Sequence, residues 1–273
     1  MLPNFLIIGA GKSGTTSLWN YLAQHPEICM SRIKEPSFFS MDETFARGWD
    51  WYERLYSQCG HVVARGEASN SYSATEIYPN TVARIRDSLP GVKIIYIVRH
   101  PKARTESDYM QFSKISNICF SEFLRNDKLY HDKNCYLRTY KRYAEAVGAG
   151  NMLVLYYEEM RSDPAATARR CFEFLGVSQE PAIDVGTAHG QSAEHRVFAP
   201  GLGALKRSRI YTDLSIYIPV SVKRVLKPLL SKTRQVERPI WSDADYAWFR
   251  EEFEARSGEF LSAMGRPVDY WTW

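Results

Sequence analysis

The fold is decided by a stretch near the start of the chain, FLIIGAGKSGTTSLWNYL, residues 5–22. Its first four residues, Phe5 to Ile8, are all apolar, as in a strand that is buried on both faces of a parallel sheet. A turn rich in glycine follows at 9–14. From Thr15 the apolar residues recur at the spacing of one helix face. The stretch therefore predicts a strand, a tight loop and a helix in immediate succession.

Similar patterns alternate along the rest of the chain. Residues 92–98 and 152–156 are apolar runs typical of buried strands, and 62–64 is a weaker strand pattern. A helix is predicted from Pro164 to Leu175, with proline in its first turn and a glycine after its end. Alternating strands and helices predict an α/β fold that is P-loop-like and three-layered, with a central parallel sheet flanked by helices on both faces.

The length and composition fit one folded domain over residues 1–273. The chain is 45% hydrophobic and 24% charged, which is ordinary for a globular protein. Residues 186–210 have no clear hydrophobic period and are predicted to be a mobile loop, whereas 242–273 has a helical pattern. Because no run of about 18 apolar residues occurs, no transmembrane segment is expected.

Positive charge is concentrated in residues 206–238. The chain has a formal net charge of +4, and this segment holds nine of its 35 Lys and Arg residues and two of its 31 acidic residues. Such a segment suits an anionic ligand, an anionic polymer or peripheral contact with a membrane, and a solvated basic helix has the same composition. The mildly basic chain as a whole does not imply nucleic acid, and no nucleic-acid partner is predicted.

The cysteine pattern favours a reducing compartment. The five cysteines are odd in number and none forms a C-x-x-C pair, which argues against a disulfide framework and against a zinc site. The start of the chain lacks the basic and apolar segments of a signal peptide. The sequence therefore predicts a cytoplasmic protein.

The loop at 9–14 has the composition of an anion site, although it is not a Walker A motif. Aligned on Gly9, the chain has the second glycine of that motif at Gly14, but Thr15 stands where the lysine belongs and the lysine comes earlier, at Lys12. Converging backbone N–H groups, the helix N-terminus and the charge of Lys12 would all favour an anion. A turn without a ligand is the alternative.

The residue after the next strong strand pattern argues against a metal-dependent nucleotide site. Nucleoside-triphosphate enzymes of this fold hold Mg²⁺ with an Asp at the end of a second strand. Here the strand at 92–98 ends in Arg99, which cannot ligate a metal but can grip a phosphate with two hydrogen bonds. We therefore expect no metal, and a ligand that carries an additional phosphate.

Two segments resemble the cofactor motifs of sulfotransferases that use 3′-phosphoadenosine 5′-phosphosulfate (PAPS). The loop KSGTTSL, residues 12–18, is similar to their 5′-phosphosulfate-binding loop, and RHPKARTESDY, residues 99–109, to their 3′-phosphate motif. In that second motif an Arg at a strand end and a Ser eight residues later hold the 3′-phosphate; here they are Arg99 and Ser107. The segments KEPSFF, from residue 34, and GWDWY, from residue 48, look like the heparan-sulfate-type and bacterial nodulation-type branch.

The resemblance implies an enzyme that moves a sulfuryl group from PAPS to a hydroxyl or amine of a small-molecule or glycan acceptor by in-line displacement. Lys12 would assist the leaving phosphate and Glu67 would be the catalytic base. The residues implied to bind the cofactor are Lys12, Ser13, Gly14, Thr15, Thr16, Ser17, Arg99, Ser107 and Arg238.

The chain departs from the branch at two places. Ala68 replaces the lysine that usually follows the catalytic glutamate, which puts a heparan-like substrate in doubt. The closing segment lacks the usual Lys-Gly-Arg run around the 3′-phosphate, for which Lys232, Arg234 or Arg238 could substitute. Two other functions stay open: a nucleotide kinase of the P-loop class, and a protein that binds the nucleotide without turnover.

Overall fold

The structure is a computed structural model that describes residues 1–113, 116–185 and 238–273, together with the backbone of two strands at 194–198 and 231–235. Five strands form one sheet in the order β2-β3-β1-β4-β5. Every neighbouring pair in it is parallel. The strands are β1 (Phe5–Gly9), β2 (Ile28–Met30), β3 (Ala64–Ala68), β4 (Lys93–Val98) and β5 (Met152–Tyr156).

Eleven helices are found in the described part of the chain, besides two short 3₁₀ helices at Asn70–Ser73 and Ala149–Asn151. They are α1 (Thr15–Leu22), α2 (Asp42–Phe45), α3 (Trp49–Arg54), α4 (Thr81–Ser88), α5 (Pro101–Phe112), α6 (Phe120–Asn126), α7 (Lys128–Asn134), α8 (Tyr136–Val147), α9 (Tyr157–Ser162), α10 (Pro164–Leu175) and α11 (Asp243–Ala263).

Both faces of the sheet are covered, because alternate strand residues enter different apolar clusters. Leu6 and Ile8 of β1 belong to a cluster that includes side chains of α3, α8 and α11. Phe5 and Ile7 belong to a second cluster with side chains of α1 and α10. The predicted three-layer α/β fold with a central parallel sheet is therefore confirmed.

Most of the predicted elements are found, with three differences. The weak pattern at 62–64 lies almost wholly before β3, which continues through Glu67. The predicted mobile loop contains β6 (Glu194–Phe198), which pairs antiparallel with β7 (Ser231–Gln235); a partner so distant in sequence leaves no local signal. The final helix stops at Ala263 because Gly265 adopts a φ of +68°.

The prediction against disulfides is wrong. Cys29 in β2 and Cys59, just beyond α3, form a disulfide with a Cα–Cα distance of 5.7 Å. The two residues are 30 positions apart. They meet because the chain after α3 hydrogen-bonds to the end of β2, with Nε2 of Gln58 donating to the carbonyl of Met30 at 3.0 Å, and the spacing of cysteines does not reveal this. Disulfides persist mainly in oxidising compartments, so the cytoplasmic prediction loses one of its two supports, the cysteine pattern.

No helix in the described segments combines the length and the hydrophobicity needed to cross a membrane. Most of the basic segment 206–238, proposed above for contact with an anion or a membrane, lies outside the described residues.

Candidate active site

The site is built at the carboxyl edge of the sheet, where the central strand β1 runs into the loop 10–14 and then into α1. The backbone N–H of Ala10 donates to the carbonyl of Ile97 in β4 at 2.6 Å, which fixes the start of the loop against the neighbouring strand. In parallel α/β sheets this edge, beside the central strand, is where ligands bind.

Gly14 is required by the backbone and by packing. Its φ is +88°, in the left-handed region that favours glycine. A Cβ on Gly14 would lie 2.3 Å from Cε of Met160 and 2.9 Å from Cδ2 of Tyr157 in α9. The loop therefore lies close to α9 at this point, and a larger residue would require the Tyr157 ring and the end of the Met160 side chain to move.

The polar side chains of the loop differ in their surroundings. Ser13 is buried, and its hydroxyl oxygen has no hydrogen-bond partner among the described residues. The hydroxyl of Thr15 donates to Oδ1 of Asn70 at 3.1 Å. Thr16 is exposed and Ser17 is half-buried. A buried hydroxyl without a partner is costly in a folded protein, so Ser13 fits a loop that receives an anionic ligand.

Lys12 and Arg99 join the two predicted motifs. Nη1 of Arg99, at the end of β4, donates to the backbone carbonyl of Lys12 at 3.0 Å, and its guanidinium lies 4.5 Å from the ring centroid of Tyr157. Burial lowers the pKa of Arg99. Nζ of Lys12 donates to Oε1 of Gln111 in α5 at 2.6 Å. Ser107, also in α5, is buried. The strand-end arginine and the glycine-containing loop thus meet directly.

Arg104 ties α5 to α7 and to the loop, a role that the sequence did not indicate. It is fully buried. Its guanidinium donates to Oδ1 of Asn134 at 2.6 Å, to the carbonyl of Tyr130 at 2.7 Å and to the carbonyl of Gly11 at 3.4 Å, and it pairs with Asp108 at 3.0 Å. These contacts fix the loop relative to the helix that carries Ser107.

Arg238 is not connected to this constellation. It is exposed, and it makes no hydrogen bond or ion pair with another residue of the described segments. The nearby Trp241 donates to Oε1 of Glu106 in α5 at 2.8 Å, which brings the chain after Arg238 onto the same helix as Ser107.

Glu67 lies on β3, opposite Leu6 of β1, and is fully buried. Its carboxylate accepts three hydrogen bonds of 2.7 Å from hydroxyl groups. Tyr52 and Tyr72 donate to Oε1, and Ser69 donates to Oε2.

Burial raises the pKa of Glu67 to about 7 from its usual 4.5, although the three hydrogen bonds lower it in part. A carboxylate that exchanges its proton near neutral pH is suited to general-base chemistry. The segment 37–39 covers this carboxylate, because the backbone N–H of Ser37 donates to Oγ of Ser69 at 2.9 Å and that of Phe39 to the hydroxyl of Tyr72 at 3.3 Å.

Asn70 links the Glu67 strand to the loop. Its backbone N–H and its side-chain amide donate to the carboxylate of Glu35 at 2.6 and 2.7 Å, while its Oδ1 accepts from Thr15 in α1. Asn70 therefore connects the end of β3 to the start of α1.

Several residues of the site were missed in the sequence. Tyr52 lies in the GWDWY segment that resembles the family, and Tyr72 follows Glu67 by five residues, so hydroxyl-bearing residues near Glu67 were a usable signal, whereas Gln111 carried none. Within the described residues, no three His, Cys, Asp or Glu side chains cluster in a way that could hold a metal ion.

Comparison with known proteins identifies the family. Residues 2–190 match the family described as Sulfotransferase domain. The mouse heparan sulfate glucosamine 3-O-sulfotransferase 3A1 is 32% identical over 189 residues, which cover 65% of this chain and 47% of the relative. The chain thus spans about half the length of that curated relative.

Solved structures agree on the fold. A sulfotransferase from Alicyclobacillus acidocaldarius is 28% identical, with a TM-score of 0.62, over 82% of this chain and 99% of that one. Mouse sulfotransferase SULT7A1 complexed with PAP is 18% identical, with a TM-score of 0.55, over 93% and 84%, and shows likeness of fold alone. The family match covers more than half of the chain, and this chain belongs to the sulfotransferase domain family.

Proposed function

We propose that this protein transfers a sulfuryl group from PAPS to a hydroxyl or amine of an acceptor. The observation that carries the proposal is the hydrogen bond of 3.0 Å between Arg99 and the carbonyl of Lys12. It brings the strand-end arginine to the loop, so that one nucleotide with phosphates at both its 5′ and 3′ positions could contact both. The 18%-identical relative of the same fold is itself described as a complex with PAP, the product of such a transfer.

The residues present fit this nucleotide. The unpartnered hydroxyl of Ser13, the backbone N–H groups at the start of α1 and the ammonium of Lys12 would hold the 5′-phosphosulfate. Arg99 and Ser107 would hold the 3′-phosphate. Among the described residues the guanidinium of Arg99 makes one hydrogen bond, from Nη1, so its other N–H groups can turn to an anion. Arg238 remains a proposed contact.

In the transfer, the acceptor oxygen or nitrogen forms a bond to sulfur while the bond between sulfur and the bridging oxygen of the 5′-phosphate breaks. The leaving 3′,5′-adenosine bisphosphate (PAP) keeps that electron pair, and Lys12 stabilises the charge that develops on it. The proton of the acceptor passes to a base, for which we propose Glu67. No metal ion is needed for any of these steps.

The base role is supported by the pKa of Glu67, about 7, and by its place on the strand beside the loop. For an acceptor to reach the carboxylate, the segment 37–39 must move, since its backbone holds the two hydroxyl groups of Ser69 and Tyr72 over Glu67. Acceptor binding would therefore open the hydrogen bond between Ser37 and Ser69.

The acceptor is proposed to be a carbohydrate or a related hydroxyl-bearing metabolite. The support is the similarity to enzymes whose names specify heparan sulfate glucosamine. Ala68 stands where the resemblance expects a lysine, so a different glycan from heparan sulfate is favoured.

Nucleotide binding tests the first half of the proposal. A ligand at 100 times its Kd that binds only the folded protein adds about 2.7 kcal/mol of stability, which thermal unfolding detects. We expect PAP without metal to raise the Tm, and Arg99→Ala to remove most of the increase. Arg86→Ala, which changes an exposed arginine of α4 paired with Asp87, is the control. A larger increase with ATP and Mg²⁺ than with PAP would instead indicate a kinase.

Turnover tests the second half. With PAPS labelled in its sulfuryl group, we expect transfer of label to hydroxyl acceptors from a glycan panel. Glu67→Gln should reduce the rate by at least about 10²-fold while PAP still binds. A Glu67→Gln variant with full activity would exclude Glu67 as the base, and PAP binding without transfer to any acceptor would favour a non-catalytic binding protein.

A further inference from the structure

A lysine that no sequence motif singled out lies beside the loop. Lys133 is on α7, and an ideal Cβ on Gly11 would be 3.6 Å from its Nζ. The same Cβ would be 3.7 Å from Cβ of Asn70. The ammonium of Lys133 and the side chain of Asn70 therefore both approach the loop at Gly11.

In the described part of the chain, the ammonium of Lys133 has no hydrogen-bond or ion-pair partner. The other cations of the site are engaged: Lys12 with Gln111, and Arg104 with Asn134 and Asp108. Lys133 makes no hydrogen bond or ion pair there, although it is partly buried. Burial lowers its pKa most, and the charge of Arg104 lowers it further, while Asp108 and Glu35 raise it.

A desolvated cation without a partner destabilises the folded state. Such a group persists where a ligand supplies the missing anion, and its position against the loop backbone defines where that anion would be.

The order of the strands places the residues proposed for the 3′-phosphate and for the acceptor on opposite sides of β1. Arg99 and Ser107, proposed for the 3′-phosphate, belong to β4 and the following helix, on one side of β1. Glu67 and Asn70 belong to β3 and its end, on the other side. Lys133 meets the loop at Gly11, and the charges that act on it come from both sides, Asp108 of α5 and Glu35. It therefore lies over the loop itself, which is proposed to hold the 5′-phosphosulfate, rather than at the strand end that carries Arg99.

We propose that Lys133 is a further catalytic residue, whose ammonium contacts the sulfuryl oxygens of PAPS before and during transfer. This inference rests on the proposed function. Lys133 neither gains nor loses a proton in the step; it donates hydrogen bonds to oxygens that become more negative as the bond from sulfur to the bridging oxygen breaks. Together with Lys12 it would place two cations around the moving group.

The proposal predicts that a change at Lys133 affects the binding of PAPS and not that of PAP, because PAP lacks the sulfuryl group. We expect Lys133→Met to bind PAP within about twofold of the wild type and to bind PAPS about tenfold more weakly or worse, as for the loss of one charge-assisted hydrogen bond. The slow transfer of the sulfuryl group to water, followed as release of PAP and sulfate, should fall by roughly 10²-fold. Lys128→Met, an exposed lysine of the same helix, is the matched control.

Each outcome of these measurements either supports or overturns the proposed role of Lys133. Equal weakening of PAP and PAPS would overturn the proposal, because Lys133 would then contact the nucleotide or only support the fold. Unchanged affinity for both would overturn it as well. Lys133→Arg, which keeps a positive charge, should recover part of the preference for PAPS, and it replaces Lys133→Met if that variant does not fold. A wild-type protein that binds neither nucleotide would refute the proposed function itself, which is a different result from selective loss in the variant.

Discussion

The hydroxyl group of Tyr52 in α3 donates a hydrogen bond of 2.7 Å to Oε1 of Glu67, a fully buried carboxylate on β3. Through this bond, a helix at the edge of the site helps to stabilise the ionised form of the proposed base. Burial alone would keep Glu67 protonated, and hydroxyl donors favour its ionised form. The pKa of about 7 is the balance of these two effects.

Replacing Tyr52 by Phe should raise the pKa of Glu67. The ring and its packing are retained, but one of the three donors to the carboxylate is lost, which disfavours ionisation by roughly one pKa unit. The rising limb of the rate against pH should move up by about that amount. Tyr56→Phe is the control, since its hydroxyl reaches Tyr52 at 3.4 Å and not Glu67. Coincident profiles for Tyr52→Phe and the wild type would contradict the assignment.

The raised pKa of Glu67 also predicts how stability depends on pH. Because the folded state holds the proton more tightly than the unfolded chain, the stabilisation is complete below pH 4.5 and is lost as pH rises through about 7. The loss amounts to about 3 kcal/mol. Glu67→Gln cannot ionise, so urea unfolding should show it gaining stability relative to the wild type between pH 5 and pH 8. A pH-independent difference between the two would mean that Glu67 keeps its usual pKa.

The sheet was predictable because its strands are buried on both faces. Such strands are continuous apolar runs, and β5 matches its predicted bounds at Met152–Tyr156. Short β2, with three residues, has no such signal and depends on pairing with β3.

The residues of the site could be predicted only where they lie close to one another in the sequence. The loop residues and Arg99 occur in motifs, so their types and spacing could be recognised. Lys133 lies outside the motifs, and Arg104 lies inside the segment 99–109 without its role being evident there. Both reach the loop from helices, through contacts between residues about 90 to 120 positions apart. Contacts of that kind are set by helix packing and leave no periodic trace in the sequence.

Gly14→Ala should destabilise the protein for two separable reasons. Alanine is strained at a φ of +88°, and its Cβ would lie 2.9 Å from Cδ2 of the Tyr157 ring as well as 2.3 Å from Cε of Met160, the end of a flexible side chain. Gly176→Ala has the first effect without the second, since its φ is +77° and nothing lies within 4 Å of a Cβ there. We expect the free energy of unfolding in urea to fall at least about 1 kcal/mol more for Gly14→Ala. Equal losses would show that the side chains of Met160 and Tyr157 move aside at little cost.

The disulfide between Cys29 and Cys59 should stabilise the fold by restricting the unfolded chain. For residues 30 positions apart this contribution is roughly 3.6 kcal/mol, which corresponds to a fall in Tm on the order of 5–10 °C when the bond is removed. Cys29→Ser and reduction by dithiothreitol should give similar losses, and dithiothreitol should have no further effect on Cys29→Ser. Cys119→Ser, which replaces an exposed free thiol, should unfold like the wild type. If dithiothreitol left the wild-type Tm unchanged, the disulfide would be dispensable, and the protein would be as stable in a reducing compartment as in an oxidising one.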